Sequence, residues 1–320
     1  MRITRTPLRI SLIGGGTDMP AFYEKHAGHV FSFTINKYVY VSVNRKFDDK
    51  VRVSYSQTEI VNSTDDLKHD LARESLRLYK IMNGMEISSI SDIPGNGTGL
   101  GSSSAFTVGL IKAIDPDIPH GILAERAFTV EANECHHPVG KQDQYASAYG
   151  GFNFFTFTAK NVRVEPVFPD QTWRAGLQDH CLLLWTGIAR DANEILARQR
   201  STFMNGGNVE IGLQLSRLAV DFHAEFIHGI QPARIGEFLG EAWKIKKFLA
   251  NGISNSKIEN WHDIAMRAGA YGGKILGAGG GGFLFFLAPP STHAAIVQAT
   301  GLRRIDINIE PEGSKVIYDG

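Results

Sequence analysis

The sequence predicts a chain of mixed strands and helices that is long enough to form two domains. It has 320 residues, of which 43% are hydrophobic, so a full core can form. β-rich stretches such as residues 30–43 are followed by segments with helical spacing such as residues 67–82. The composition changes around residues 168–171, which predicts a boundary between a domain of residues 1–170 and a domain of residues 171–320.

The charge and cysteine content argue against several classes of protein. Lys+Arg and Asp+Glu both number 33, so there is no basic field for nucleic acid or an anionic membrane. Cys135 and Cys181 provide neither a disulfide framework nor a thiolate metal site. No signal-peptide pattern is present, and no apolar run approaches the ~20 residues that span a bilayer. We therefore expect a cytoplasmic protein without nucleic-acid or membrane partners, and homo-oligomer formation stays open.

The first strand of the chain leads into a cluster of glycines. Residues 8–13 alternate as a strand does, and Gly14, Gly15, Gly16, Thr17 and Asp18 follow. The glycines allow close approach of the backbone, and the last two residues offer a hydroxyl and a carboxylate to a ligand. Alternatively, the carboxylate caps a helix around residues 21–23, and both roles are compatible.

Further strands and a helix precede the central feature of the sequence. The β-rich stretch of residues 30–43 is interrupted near residues 36–37, and residues 51–55 continue the sheet. A helix is expected over residues 67–82, and a strand over residues 87–93 leads into the central loop.

The central loop, residues 94–105, predicts an anion-binding site. Glycines occupy alternate positions from 95 to 101, and Ser102, Ser103 and Ser104 then begin an apolar, helix-like segment. Alternate glycines let backbone N–H groups form a concavity, and the positive end of the helix dipole faces the same point. A polyphosphate fits this pattern best, and a serine hydroxyl can reach its metal ion. The alternative is a flexible surface loop.

Two common nucleotide-binding loops do not match this segment. A Walker A loop requires a hydroxyl residue after Gly-Lys, and neither Gly140-Lys141 nor Gly273-Lys274 is followed by one. The dinucleotide fingerprint fails as well, because Ser102 stands where its third glycine belongs.

A tight turn follows a helix predicted over residues 123–134. The histidines at 136 and 137 are adjacent and lack the spacing of a zinc site, so we interpret them as helix-end residues. Glu131 and Asp143 lie on either side of the Pro/Gly turn. A metal-binding acid and a nucleophile-orienting acid could converge there on one phosphate.

The second half of the chain contains a second glycine cluster. Strands are predicted at residues 152–157, 181–185 and 283–287, and helices at residues 192–200, 212–227 and 235–250. Residues 264–270 lead to Lys274 and then to the cluster of residues 277–282, which includes Gly279 and Gly280. Such a cluster requires close approach to a ligand or to another backbone.

Three of these segments together resemble the GHMP kinases (galactokinase, homoserine, mevalonate and phosphomevalonate kinases). Residues 7–18 are similar to the first motif of that family, the central loop to the second, and residues 277–282 to the third. The family often has Pro where this chain has Gly95, with Pro94 one position earlier. The resemblance implies an α+β fold with an N-terminal domain like the second domain of ribosomal protein S5 and a ferredoxin-like C-terminal domain. It places an ATP site between them.

Within that family the chain resembles bacterial D-glycero-D-manno-heptose 7-phosphate 1-kinases most. The shared segments are residues 14–18, 140–146 and 186–191. The implied reaction is ATP-dependent phosphorylation of the anomeric hydroxyl, which feeds the synthesis of nucleotide-activated heptose for surface polysaccharide. Gly15 and Gly16 differ from the Gly-Glu-His-Thr-Asp of galactokinases. Fucokinase-like enzymes share some of the segments and remain an alternative, as does a catalytically silent sugar-sensing regulator.

The resemblance also assigns roles to individual residues. Asp143 would orient or deprotonate the sugar hydroxyl, and Arg9 would help to lower the pKa of that hydroxyl. Glu131 would bind Mg²⁺ with Ser103. The loop residues Gly97, Gly99, Leu100, Gly101, Ser102, Ser103 and Ser104 would bind ATP. Thr17 and Asp18, with Gly15, Gly16, Gly279 and Gly280, would bind the sugar.

The sugar's distal phosphate needs a cationic partner, and arginine suits phosphate best. Arg190 follows the predicted strand at residues 181–185 and is the first candidate. Alternatively, it lies on the surface and pairs with Asp191 or Glu194. Lys37 and Lys141 are further candidates.

Overall fold

Two β-sheets organise the described part of this computed structural model, which comprises residues 1–93, 97–189 and 192–320. Its strands are β1 (Arg2–Ile13), β2 (Gly28–Arg45), β3 (Val51–Ser54), β4 (Thr58–Val61), β5 (Met85–Ser91), β6 (Phe152–Phe157), β7 (Val162–Val167), β8 (Cys181–Trp185), β9 (Gly272–Ile275), β10 (Phe283–Leu287), β11 (Arg303–Ile305) and β12 (Lys315–Asp319).

Helices cover these sheets. They are α1 (Pro20–Tyr23), α2 (Asp70–Leu78), α3 (Ser102–Ile114), α4 (His120–Phe128), α5 (Gln142–Tyr149), α6 (Gln171–His180), α7 (Ala192–Met204), α8 (Val209–Phe226), α9 (Pro232–Lys246), α10 (Ser256–Arg267) and α11 (His293–Thr300). A π-helical turn, Thr129–Glu134, continues α4, and short 3₁₀ turns occur at Thr64–Asp66 and Pro290–Thr292.

The first sheet has eight strands arranged around β2. Its order is β12-β1-β2-β5-β3-β4, and β6 pairs with another part of β2 and carries β7 on its other side. β3 and β5 run parallel, whereas the other pairs of this sheet are antiparallel. The second sheet has the order β11-β8-β10-β9 and is antiparallel throughout.

β2 is long because one strand serves two sets of neighbours. Residues 39–45 pair with β5 and residues 28–33 pair with β6. Between them the register with β1 shifts, since Pro7 pairs with Tyr38 and Leu8 with Ile35. The interruption predicted near residues 36–37 is therefore an irregularity inside a continuous strand.

Most predicted elements are confirmed, and the differences lie at their ends. The helix expected over residues 67–82 is shorter, Asp70–Leu78, and the segment of residues 264–270 begins inside the end of α10. No sequence pattern predicted β4, β7, α6, α10, α11, β11 or β12. β12 pairs with β1, so the end of the chain lies in the first sheet. The boundary at residue 170 stays a proposal.

Packing joins the two halves of the chain through aromatic side chains. α3 packs against β1 and β2, whereas α8 packs against β2. Phe31 on β2 is fully buried, and its ring lies 5.0 Å from that of Phe222 and 4.5 Å from that of Phe226, both on α8. These contacts hold a C-terminal helix on the N-terminal sheet.

We expect Phe31→Ala to lower the free energy of unfolding by about 3–5 kcal/mol, because it removes a buried ring and leaves a cavity. Urea denaturation measures the change. Phe47 is fully exposed, and Phe47→Ala is the matched control, which should change the free energy by less than about 0.5 kcal/mol. Equal effects of the two substitutions would contradict this view of the packing.

Candidate active site

One cavity gathers residues from several of the sequence segments singled out above. It lies where the end of β1, the central loop, the start of α5 and the second glycine cluster meet. Its described lining residues include Arg9, Gly16, Asp18, Gly97, Gly99, Gly101, Ser102, Ser103, Ser104, Glu131, His137, Gly140, Gln142, Asp143, Gln199, Lys246, Gly277 and Ala278.

The described part of the central loop has the backbone that its glycines predict. Gly97, Gly99 and Gly101 have φ angles of 68°, 80° and 79°, the left-handed region that glycine adopts without strain. Ser102 begins α3 directly after them, so the helix N-terminus faces the loop. Leu100 is fully buried, and its carbonyl accepts a hydrogen bond from the Arg9 backbone N–H at 3.1 Å. Pro94 and Gly95 lie outside the described residues.

Arg9 joins three elements of the site. Its Nε and Nη2 donate to the two Asp143 carboxylate oxygens at 2.8 and 2.6 Å, and Nη1 donates to the Gly99 carbonyl at 2.6 Å. The guanidinium is 3% exposed, so the arginine side of this bidentate ion pair is largely shielded from water. β1, the loop and α5 are thereby fixed relative to one another.

Glu131 lies in the π-helical turn and is nearly fully buried. Ser104 Oγ donates to its Oε2 at 3.1 Å, and Gln144 Nε2 donates to its Oε1 at 2.9 Å. Burial raises the pKa of Glu131 to about 7, although these two hydrogen bonds favour the charged form. Ser103, predicted to share a metal with Glu131, is exposed and lines the same cavity.

The residues around Glu131 fit a magnesium ion. Carboxylate and hydroxyl oxygens are the ligands that Mg²⁺ prefers. A buried carboxylate whose pKa is raised by lost hydration gains from a nearby cation.

Asp18 is held by the backbone of two segments. Its Oδ1 accepts from the Gly16 N–H at 2.9 Å and from Gln142 Nε2 at 3.1 Å, and its Oδ2 accepts from the Gln142 N–H at 3.1 Å. The predicted capping role is wrong, because Met19 is the N-cap of α1 and no side chain caps it. A Cβ on Gly140 would lie 2.0 Å from Asp18 Oδ2, so this position requires glycine. Burial chiefly, and the charge of Asp143, raise the pKa of Asp18.

The other residues of the first glycine cluster divide between structure and cavity. Thr17 is fully buried, and its hydroxyl donates to the Gly14 carbonyl at 2.9 Å and accepts from the His29 N–H at 3.1 Å. It thus ties the turn to β2. Gly16 lines the cavity, and a Cβ on Gly15 would lie 3.4 Å from Gln142 Nε2, whose residue also lines it.

The second glycine cluster packs against the central loop. A Cβ on Gly277 would lie 2.4 Å from Gly99 Cα, and a Cβ on Gly282 would lie 2.3 Å from the Thr98 carbonyl oxygen. Of the two open possibilities, close approach to another backbone is therefore present. Gly279 and Gly280 contact Ile253, whose carbonyl accepts from the Gly280 N–H at 2.7 Å. Their role in sugar binding stays a prediction.

Lys37 and Lys141, two of the predicted phosphate-binding cations, are not among the described residues that line the cavity. Lys141 Nζ donates to both carboxylate oxygens of Glu125, at 2.7 and 2.9 Å, and lies over the rings of Tyr23 and Phe128. Arg190 lies outside the described residues.

Several polar residues at this site were not predicted from the sequence. Gln142 and Gln144 orient Asp18 and Glu131. Lys246, at the end of α9, and Gln199, on α7, line the cavity. These two belong to helices that were identified by apolar spacing, and no local pattern marks them. Lys274, directly before Gly277's cluster, is fully buried and donates to the Ser11 and Leu12 carbonyls at 2.9 and 2.7 Å.

Comparison with known proteins identifies the family. The model of the GHMP kinases N terminal domain matches residues 67–151, and that of the GHMP kinases C terminal domain matches residues 224–301. The D-glycero-alpha-D-manno-heptose 7-phosphate kinase of Campylobacter jejuni is 31% identical, over 92% of each chain. The chain belongs to the GHMP kinase family.

Two further comparisons agree with this GHMP kinase assignment. The crystal structure of a D-glycero-D-manno-heptose 1-phosphate kinase from Bacteroides thetaiotaomicron matches with a TM-score of 0.80 and 22% identity over all of both chains. The bifunctional fucokinase/GDP-fucose pyrophosphorylase of Arabidopsis thaliana is 22% identical over 90% of this chain but only 30% of its own length. The two-domain α+β fold predicted from the motifs is thereby confirmed.

The raised pKa of Glu131 predicts how stability changes with pH. The folded-state pKa of about 7 exceeds the ordinary value of 4.5. The free energy of unfolding is therefore highest below pH ~4.5, and it falls by up to about 3 kcal/mol as the pH rises to ~7. Glu131→Gln should remove this loss, which urea unfolding at pH 5 and pH 8 without metal or nucleotide would measure.

Glu134→Gln is the matched control, because Glu134 lies in the same turn and is exposed. It should keep the wild-type dependence on pH. If Glu131→Gln also keeps it, the assigned titration is wrong.

Proposed function

We propose that this GHMP kinase transfers the γ-phosphoryl group of ATP to the anomeric hydroxyl of D-glycero-D-manno-heptose 7-phosphate. The observation that carries the proposal is the convergence of the loop, Glu131, Asp143 paired with Arg9, and Asp18 on one cavity. The 31% identity to the Campylobacter jejuni heptose 7-phosphate kinase supports the choice of sugar.

The residues divide the work of phosphoryl transfer between positioning and charge stabilisation. The sugar oxygen forms a bond to the γ-phosphorus while the bond from that phosphorus to the bridging oxygen breaks. ADP leaves with the electron pair, and the hydroxyl proton passes to Asp143. Arg9 holds both Asp143 oxygens, so the acceptor is fixed before the sugar arrives. The N–H groups of the loop and of the start of α3 stabilise the phosphate charge.

Glu131 and Ser103 would hold the Mg²⁺ that accompanies ATP. The ion neutralises charge on the phosphate oxygens when it is bound. Ser104 and Gln144 each donate a hydrogen bond to one Glu131 carboxylate oxygen and so fix the orientation of the carboxylate. Ser103, in the first turn of α3, lines the same cavity.

Asp18 and Gly16 border the part of the cavity that we assign to the sugar. The Asp18 carboxylate is fixed by three donors, so a sugar hydroxyl meets an acceptor that does not have to reorganise. The Thr17 hydroxyl stabilises this turn through its hydrogen bonds with the Gly14 carbonyl and the His29 N–H. Arg190 as a phosphate-binding residue stays a prediction.

A coupled kinase assay with ATP and Mg²⁺ tests the proposal. The sugars are heptose 7-phosphate, unphosphorylated heptose, fucose, galactose and mevalonate, the last as a non-sugar comparison. The highest kcat/KM is expected for heptose 7-phosphate. Preference for fucose would establish the fucokinase-like alternative. If no sugar raises the rate of ADP release above the rate measured without sugar, the silent regulator is favoured.

We expect Asp143→Asn to lower kcat by about 10²- to 10⁴-fold, because the positioned proton acceptor is lost. ATP affinity, measured by calorimetry, should stay within about threefold, since the loop residues are unchanged. Asp117 is exposed, and Asp117→Asn is the matched control with wild-type turnover. Turnover of Asp143→Asn within tenfold of wild type would remove Asp143 from its role.

We expect Glu131→Gln and Ser103→Ala each to raise the Mg²⁺ concentration that gives half-maximal activity by about tenfold or more, because oxygen ligands are few at this site. A Mg²⁺ titration at saturating sugar measures this, with Glu134→Gln as the control. A wild-type titration curve for Ser103→Ala would transfer the ligand role to another residue.

A further inference from the structure

A phosphorylated sugar requires a cationic side chain in the cavity, because the phosphate that it carries is a dianion. Among the described residues that line the cavity, the basic side chains are Arg9, His137 and Lys246. Arg9 is committed to Asp143 and Gly99. The backbone N–H of His137 donates to the Glu131 carbonyl at 2.9 Å, which places it on the side of the proposed metal.

Lys246 lies next to the first glycine cluster. It ends α9, it is 4% exposed, and its Nζ donates to the Gly277 carbonyl at 2.8 Å. Lys246 Nζ and Gln142 Nε2 each lie 3.4 Å from the point where a Cβ on Gly15 would be. Gln142 in turn donates to Asp18, so the ammonium lies beside the residues that we assign to the sugar.

The surroundings of Lys246 are rich in positive charge. Lys274 is fully buried close by, and burial chiefly, with the charges of Lys246 and Arg9, lowers its pKa well below the usual value. Arg9 neutralises Asp143, and Asp18 and Glu131 are the other acids among the described residues that line the cavity. An anion bound here would relieve repulsion among the cations, whereas a neutral sugar would not.

Resting on the proposed function, we propose that Lys246 binds the distal phosphate of the sugar and thereby sets the preference for a phosphorylated over an unphosphorylated substrate. Lysine suits this role because a compact charge on a flexible stem can follow a phosphate that is carried on an open side chain. The absence of a Cβ at Gly15 leaves room between the ammonium and the sugar-binding turn.

The test compares kcat/KM for heptose 7-phosphate with kcat/KM for unphosphorylated heptose, at saturating ATP and Mg²⁺. In Lys246→Met the ratio of the two values should fall by about 10- to 100-fold, the scale of a charge-assisted hydrogen bond. Lys244 lies on the same helix and is exposed, and Lys244→Met should keep the wild-type ratio. If Lys246→Met fails to fold, as judged by its melting curve, Lys246→Gln provides the same measurement.

The outcomes separate this inference from the proposed function. A ratio within threefold of wild type, including equal losses on both sugars, overturns the role of Lys246. A wild-type enzyme that prefers unphosphorylated heptose overturns both the role of Lys246 and the proposed sugar phosphate, whereas the assignment as a sugar kinase stands. A wild-type enzyme without activity on any sugar defeats the proposed function itself.

Discussion

The pair between Arg9 and Asp143 is the interaction on which the candidate site depends. A guanidinium that is 3% exposed has lost most of its hydration, so it is tolerated only where acceptors replace water. Three acceptors on two elements do so, the Asp143 carboxylate oxygens and the Gly99 carbonyl. The same bonds therefore satisfy a buried charge, close the central loop onto β1, and orient the residue proposed to accept the proton.

A second constraint is the space between two glycine segments. The Gly99 and Gly277 backbones are so close that a Cβ on either would overlap the other segment, and both residues have positive φ angles. Because one segment is the central loop after β5 and the other joins β9 to β10, this contact sets how the second sheet meets the central loop. Glycine is therefore needed here for the contact between the two backbones.

The sequence predicted those parts of the site that are encoded by local chemistry. Alternating glycines before serines predicted the loop and the start of α3, and carboxylates flanking a turn predicted Glu131 and Asp143. Asp18 shows the limit of this reasoning, because a carboxylate before a helix is a common cap, and its actual donors come from Gly16 and from Gln142. The pairing of β12 with β1 and the approach of Lys246 to Gly15 join positions far apart in the chain, and no local pattern encodes them.

Buried charges of both signs lie in and around the cavity. Burial raises the pKa of Glu131, so a cation bound beside it would favour the charged form of the carboxylate. Lys246, Lys274 and Arg9 lie around the end of β1, where their mutual repulsion contributes to the lowered pKa of Lys274. On the proposals made above, a metal ion beside Glu131 and a sugar phosphate beside Lys246 would each lower one of these electrostatic costs. A neutral sugar would leave the repulsion among the cations in place, which is a physical reason why a phosphorylated substrate would be preferred.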